Sequence, residues 1–281
     1  MIAPFDLDEW CLQCGLDPVA DKQWKSASLS EVSYPDNAHN AFAELEHRSF
    51  WFNHRNAVIT GLVKKYPPGG TIFDVGGGNG YVSLGLREAG FDTVVVEPGA
   101  HAVRVASERG LPVIAAAFQD LRIPAESIPA IGMFDVLEHI EDDLLALKSQ
   151  FTSLVPGGML YLAVPSLPAL WSGEDISAGH YRRYRLEDLE ARVKSAGFEP
   201  LHGTYFFSIL TAPVFFLRAI PHRLGFRGKQ SAETAAKAHN LPGGPAGGFI
   251  DWRLRRERSH IGAGGRPRLG TSCFLAARKP D

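Results

Sequence analysis

Thr71-Ile72-Phe73-Asp74-Val75-Gly76-Gly77-Gly78-Asn79-Gly80-Tyr81 joins a short apolar run to a loop with little side-chain bulk, and a helical pattern follows it through about residue 89. A ligand can approach the backbone N–H groups at such a strand-to-helix junction, because no Cβ stands in the way and the helix N-terminus is electropositive. Gly76, Gly78 and Gly80 supply the loop. A dinucleotide fingerprint G-x-G-x-x-G starting at Gly76 requires glycine at position 81, where Tyr81 stands, so a nicotinamide cofactor is disfavoured. The next apolar run ends at Glu97, 23 positions after Asp74, where an adjacent strand would offer a carboxylate to a ribose diol in the same crevice.

Outward from this unit, strand and helix signals alternate. Strands are expected at 71–75, 93–97, 113–116, 130–134, 159–164 and from 198 onward. Helices are expected at 100–109, 141–154 and 186–196, with Gly90, Gly110 and Gly197 as stop signals. Repeated β-α units imply a doubly wound α/β fold, a mostly parallel sheet with helices on both faces. Before them, 38–65 has a helical pattern closed by Pro67-Pro68-Gly69-Gly70. The chain divides into an N-terminal leader at 1–37, a core at 38–204 with an N-terminal helical lid, an apolar and basic insertion at 205–269, and a final strand and tail at 270–281. A mobile loop is expected at 230–248 and a short helix at 250–258.

The 281 residues carry a formal net charge of -2 and give no global basic field, so nucleic acid is not an expected partner. The charge is uneven: residues 218–281 hold 13 Lys plus Arg against 4 Asp plus Glu, which suits an anionic partner surface. Cys11, Cys14 and Cys273 are too few and scattered for a disulfide framework, and no basic-then-apolar signal segment opens the chain. The expected location is cytoplasmic. Cys11-x-x-Cys14 lacks a second pair of metal ligands, and no metal is assigned to the chain.

Asp74-x-Gly76-x-Gly78-x-Gly80 followed by Val94-Val95-Val96-Glu97-Pro98 resembles the first two motifs of the class I S-adenosylmethionine-dependent methyltransferases. The resemblance covers about residues 40–200. It implies the Rossmann-like methyltransferase fold, a seven-stranded sheet with the last strand antiparallel, and S-adenosyl-L-methionine as cofactor, leaving S-adenosyl-L-homocysteine. It implies further that Asp74 and the glycines surround the methionine part, that Glu97 holds the ribose, and that Ala117-Phe118-Gln119-Asp120 flanks adenine. Many relatives carry Asp where Ala117 falls, so Phe118 packing and a Gln119 hydrogen bond stand in for that contact, with core packing as the alternative role of Phe118. The helix 46–55 packs aromatics and bases together. It resembles the aromatic lid of the same family, with Trp51 toward the substrate and Arg55 reaching the cofactor carboxylate; plain core packing is the alternative for Phe50 and Phe52.

Phe134-Asp135-Val136-Leu137-Glu138-His139 stands at the carboxyl edge of the fourth strand and resembles the fourth motif of small-molecule methyltransferases, including the quinone-biosynthesis O-methyltransferases. Phe134 belongs with the cofactor contacts. His139 can take a proton from a hydroxyl acceptor, and Glu138 can orient it or help to hold a divalent metal; helix capping is the alternative for both. His180-Tyr181-Arg182-Arg183-Tyr184-Arg185 resembles the His-x-Arg-x-Tyr loop of methyltransferases from bacterial glycan and lipid gene clusters. It offers His180 as a second base, and Arg182, Arg183 and Tyr184 as acceptor contacts, unless it is an exposed basic turn. Residues 200–217 carry no Asp, Glu, Lys or Arg, and Pro213 interrupts them, which argues against a spanning helix. Together with the bases that follow, 205–229 reads as an interfacial patch for a lipid-linked acceptor at the inner membrane face, or as a buried cover or homodimer contact. A nicotinamide-dependent oxidoreductase and a non-catalytic membrane or complex partner remain as readings of other classes.

Overall fold

The computed structural model describes residues 5–26, 46, 49–226 and 241–281. The expectations for 230–240 and for most of 38–48 lie outside these residues. Among the described residues, nine strands form one sheet: β1 (Asp17–Ala20), β2 (Gln23–Lys25), β3 (Ile72–Val75), β4 (Thr93–Val96), β5 (Val113–Ala115), β6 (Ile128–Phe134), β7 (Leu154–Pro165), β8 (Glu199–Phe206) and β9 (Ser272–Arg278). Their order is β1-β2-β5-β4-β3-β6-β7-β9-β8. Strands β2 to β7 pair in parallel, and β9 runs antiparallel between β7 and β8. The seven-stranded doubly wound sheet expected from the sequence is present, and β1 and β2 extend it. Those two strands come from the segment read as a leader. Their apolar positions are too few to show a period, and Trp24 is buried only because β2 pairs with β5.

The central strands are buried on both faces, which is why they read as apolar runs rather than alternations. On one face, α1 (Leu7–Gln13), α5 (Asp143–Ser153) and α7 (Leu186–Ser195) cover a core that includes Phe73, Val94, Ile131 and Leu160. On the other, α2 (Phe50–Lys65), α3 (Tyr81–Glu88) and α8 (Pro245–Gly262) pack against Ile72, Phe134, Tyr161 and Phe274. Successive residues of β3 face opposite cores, so Ile72 and Asp74 share the α2/α3 face while Phe73 and Val75 take the other. Helix α2 starts where Ser49 Oγ accepts the N–H groups of Trp51 and Phe52. Helix α8 is longer than the expected 250–258 because Pro245 starts it with no N–H to satisfy.

The uncharged run after residue 200 divides in two. Tyr205 and Phe206 end β8, Phe207 follows, and all three are buried, so the core continues past the expected boundary at 204. Residues 208–223 form helical turns outside the sheet, and Phe216, Leu217, Leu224 and Phe226 are exposed. No helix among the described residues is long and apolar enough to cross a membrane. Cys11 and Cys14 are free and buried under the sheet, and burial pushes the Cys14 thiol up to about 11 and Cys11 in the same direction.

Candidate active site

The glycine loop leaves β3 with Gly76, Gly78 and Gly80 all at positive φ. A Cβ on Gly76 would sit 2.8 Å from Val136 Cγ2, and one on Gly80 would overlap Leu111. Glycine is therefore required for close packing as well as for conformation. Below the loop, Asp74 is fully buried and accepts the Ser83 hydroxyl at 2.7 Å. Burial raises its pKa to about 6, with the Ser83 hydrogen bond and the Arg55 charge opposing.

Glu97, 6% exposed at the end of β4, accepts the Gly78 N–H at 3.0 Å and the Gly99 N–H at 2.8 Å, one on each oxygen. These two bonds brace Glu97 against the glycine loop. Phe118 is buried in the α1-side core at a single 3₁₀ turn, and Gln119 beside it is exposed. The loop is also clamped from above, because Glu46 accepts Asn79 Nδ2 and Arg109, and Arg109 donates to the Asn79 carbonyl. Neither Glu46 nor Arg109 stands out in the sequence, since both belong to ordinary charged surface patterns.

Arg55 is buried at the α2 end, donates to the Phe134 carbonyl at 2.9 Å and pairs with Asp135 at 2.5 Å. It also lies over the Trp51 ring, which stacks on Phe207 with centroids 5.6 Å apart. Asp135 itself takes φ 58°, an unusual conformation for a non-glycine residue, and it starts the turn that carries Leu137, Glu138 and His139. The sequence reading placed Asp135 inside a motif without giving it a role.

Glu138, His139 and His180 come together, with one donor atom of each within 4.8 Å of the others. The two imidazole rings meet edge to face at 4.8 Å. Glu138 is fully buried, and neither carboxylate oxygen accepts a hydrogen bond from another described residue. Burial first, and then the Asp135 charge, raise its pKa. Burial and the neighbouring His180 push the His139 pKa down to about 4. His180 Nδ1 lies 3.0 Å from Asp175, which also accepts Arg183 Nε at 2.6 Å and the Ser172 N–H. Asp175 was missed in the sequence, although Ser172-x-x-Asp175 spells the capping box that starts the short helix Gly173–Ser177.

Three further loop residues have partners within the protein. Arg182 pairs with Asp143 at 2.8 Å, Arg183 with Asp175, and the buried Tyr184 hydroxyl donates to Asp143 at 2.9 Å. Arg182, Arg183 and Tyr184, expected at the acceptor, thus also anchor the loop to carboxylates of α5 and of the capping box, which the sequence spacing did not reveal. Two surface clefts of about 290 and 350 Å³ flank α2 elsewhere and contain none of the Glu97 or Glu138 groups.

An open α/β sheet with a glycine loop after the central strand, an acidic end to its neighbour and an antiparallel strand inserted near the far edge defines a methyltransferase-type cofactor domain. Residues 38–202 match the family model described as "Methyltransferase domain". The chain belongs to the class I S-adenosylmethionine-dependent methyltransferase family. It is 25% identical over 165 residues to a protein of Mycolicibacterium smegmatis named as a probable S-adenosylmethionine-dependent methyltransferase; the aligned part is 55% of this chain and 62% of that relative. Among solved structures, a chain from the complex between the Haloferax volcanii Trm112 methyltransferase activator and a methyltransferase superposes with TM-score 0.58 at 17% identity, over 89% of this chain and 100% of that one. The Haemonchus contortus phosphoethanolamine N-methyltransferase 2 bound to S-adenosyl-L-methionine gives 0.54 at 17% identity, over 91% and 61%. At these identities the superpositions speak for the fold.

Proposed function

We propose that the protein transfers the methyl group of S-adenosyl-L-methionine to an oxygen of a small-molecule, glycan or lipid-linked acceptor. The observation that carries this is Glu97, a carboxylate held at the end of β4 by the Gly78 N–H of the glycine loop, the place from which a ribose diol beside that loop would be met. The acceptor edge is the adjacent Asp135–His139 turn, whose Val136 packs on Gly76. In the reaction, an acceptor oxygen pair forms the new O–CH₃ bond as the C–S bond of the sulfonium breaks. Sulfur keeps the electron pair of the broken C–S bond and becomes the thioether of S-adenosyl-L-homocysteine, and the hydroxyl proton leaves through the cluster of Glu138, His139 and His180. The protein's main task is alignment of acceptor, methyl and sulfur and exclusion of water. Arg183 and Asp175 act as positioning residues for His180, and Arg55 and Trp51 close the methionine end.

The exposed Phe216, Leu217, Leu224 and Phe226 support approach to a lipid-linked acceptor at the cytoplasmic face of a membrane. A homodimer contact is the other use of that surface. Calorimetric titration of the purified chain with S-adenosylhomocysteine and with NAD tests the cofactor. Binding of NAD alone would overturn the proposal. Labelled-methyl transfer to lipid and polar extracts then tests the acceptor edge, and turnover unchanged in both Glu97→Ala and His139→Ala would remove the site assignment.

A further inference from the structure

We infer that Glu138, His139 and His180 form a binding site for one first-row divalent cation, with open positions facing the acceptor. Two imidazoles and one carboxylate suit Mn, Fe, Co, Ni or Zn, and three protein ligands with an outer side left open are the arrangement of catalytic rather than structural metal sites. Glu138 is the strongest sign of a ligand. A carboxyl group with no accessible surface and no hydrogen bond from another described residue carries a desolvation cost that its own backbone N–H and the Arg55 and Arg183 charges offset only in part, and a cation at its oxygens would relieve it.

The surroundings of the two histidines agree. His180 uses Nδ1 on Asp175, which leaves Nε2 as its donor atom; a carboxylate behind the far nitrogen orients a metal-binding imidazole and raises its basicity. Asp175 is in turn fixed by Arg183 and by the Ser172 N–H, so that support is rigid. The His139 ring also has a hydrogen-bond contact with the Gly179 backbone. His139 and His180 are only partly buried, so the site opens on the side away from Glu138. The three donors lie within 4.8 Å of one another, whereas donors about 2.1 Å from a shared cation stand about 3 Å apart. Binding therefore requires the three donors to draw together.

What the cation would do rests on the function proposed above; whether it binds does not. A metal-held acceptor hydroxyl is a stronger acid, so its proton would leave more readily at this cluster. The test is titration of chelator-stripped protein with Mn²⁺, followed by loss of the free-ion electron paramagnetic resonance signal, and with Co²⁺, followed by its visible absorption. S-adenosylhomocysteine binding is measured on the same samples. The expected result is one ion per chain, with affinity reduced by at least roughly tenfold in Glu138→Gln and again in His180→Gln, while S-adenosylhomocysteine binding persists. Folded protein that binds S-adenosylhomocysteine but no Mn²⁺ or Co²⁺ would overturn the inference and leave the methyltransferase reading standing. Undiminished ion binding in both variants would also overturn it. Loss of S-adenosylhomocysteine binding in wild type would count against the methyltransferase reading alone. Wild-type stoichiometry decides the matter if either variant fails to fold.

Discussion

Asp74→Asn should make the ligand-free protein more stable, and by an amount that grows with pH. Asp74 is completely buried below the glycine loop, and its carboxyl is held near pKa 6 against an ordinary value of 3.8. Because the native state binds this proton more tightly than the unfolded chain, stability falls as pH rises from below 3.8 to above 6. The whole change is about 3 kcal/mol, taking 1.36 kcal/mol for each pKa unit, and about half of it falls between pH 5 and pH 8. Asparagine does not titrate, has nearly the same shape, and its carbonyl oxygen can still accept the Ser83 hydroxyl. The variant and the wild type should therefore converge near pH 3 to 4 and differ by up to about 3 kcal/mol at pH 8. For a chain of this size that is roughly 6 °C in midpoint. Urea and thermal unfolding across pH 4 to 8 measure the gap. A gap independent of pH, or a variant less stable than wild type at pH 8, refutes the argument that a desolvated carboxylate is stored under the loop.

Glu97→Gln keeps the shape but replaces a carboxylate that accepts two backbone N–H groups, so S-adenosylhomocysteine affinity should fall roughly 10–100-fold; calorimetry finding less than a twofold loss would exclude a ribose-holding role. Gly80→Ala places a Cβ against Leu111 at φ 73° and should cost about 1–3 kcal/mol in denaturant unfolding, whereas Gly90→Ala, at φ 93° with open space around it, should cost less; equal losses would show that packing adds nothing at Gly80. Glu257 accepts His54 Nε2 and the Phe207 and Ser208 N–H groups, each at 2.8 Å, and so joins α8 to α2 and to the end of β8. Glu257→Gln should destabilise by about 1–3 kcal/mol, and an unchanged unfolding midpoint would deny that link.

The alternation of strands and helices, the glycine loop and the place of Glu97 at a strand end were legible in the residues themselves. Each of these is local: a run of β-branched residues, a stretch without side chains, or a fixed count between neighbouring strands carries its meaning over a few tens of residues. Tertiary structure decided the partners. Arg55 meets Asp135, His180 leans on Asp175, and Arg182 pairs with Asp143, so residues read as contacts for a ligand also hold the loop. It also turned 17–25 from a leader into the sheet edge, because a short strand with little periodicity is stabilised by the neighbour it pairs with. Charged groups carry no label for their partner in their own stretch of chain. Burial and the crossing of distant elements chose which cations were consumed, and left the Glu138 carboxylate without a hydrogen-bond donor from another described residue, beside two histidines.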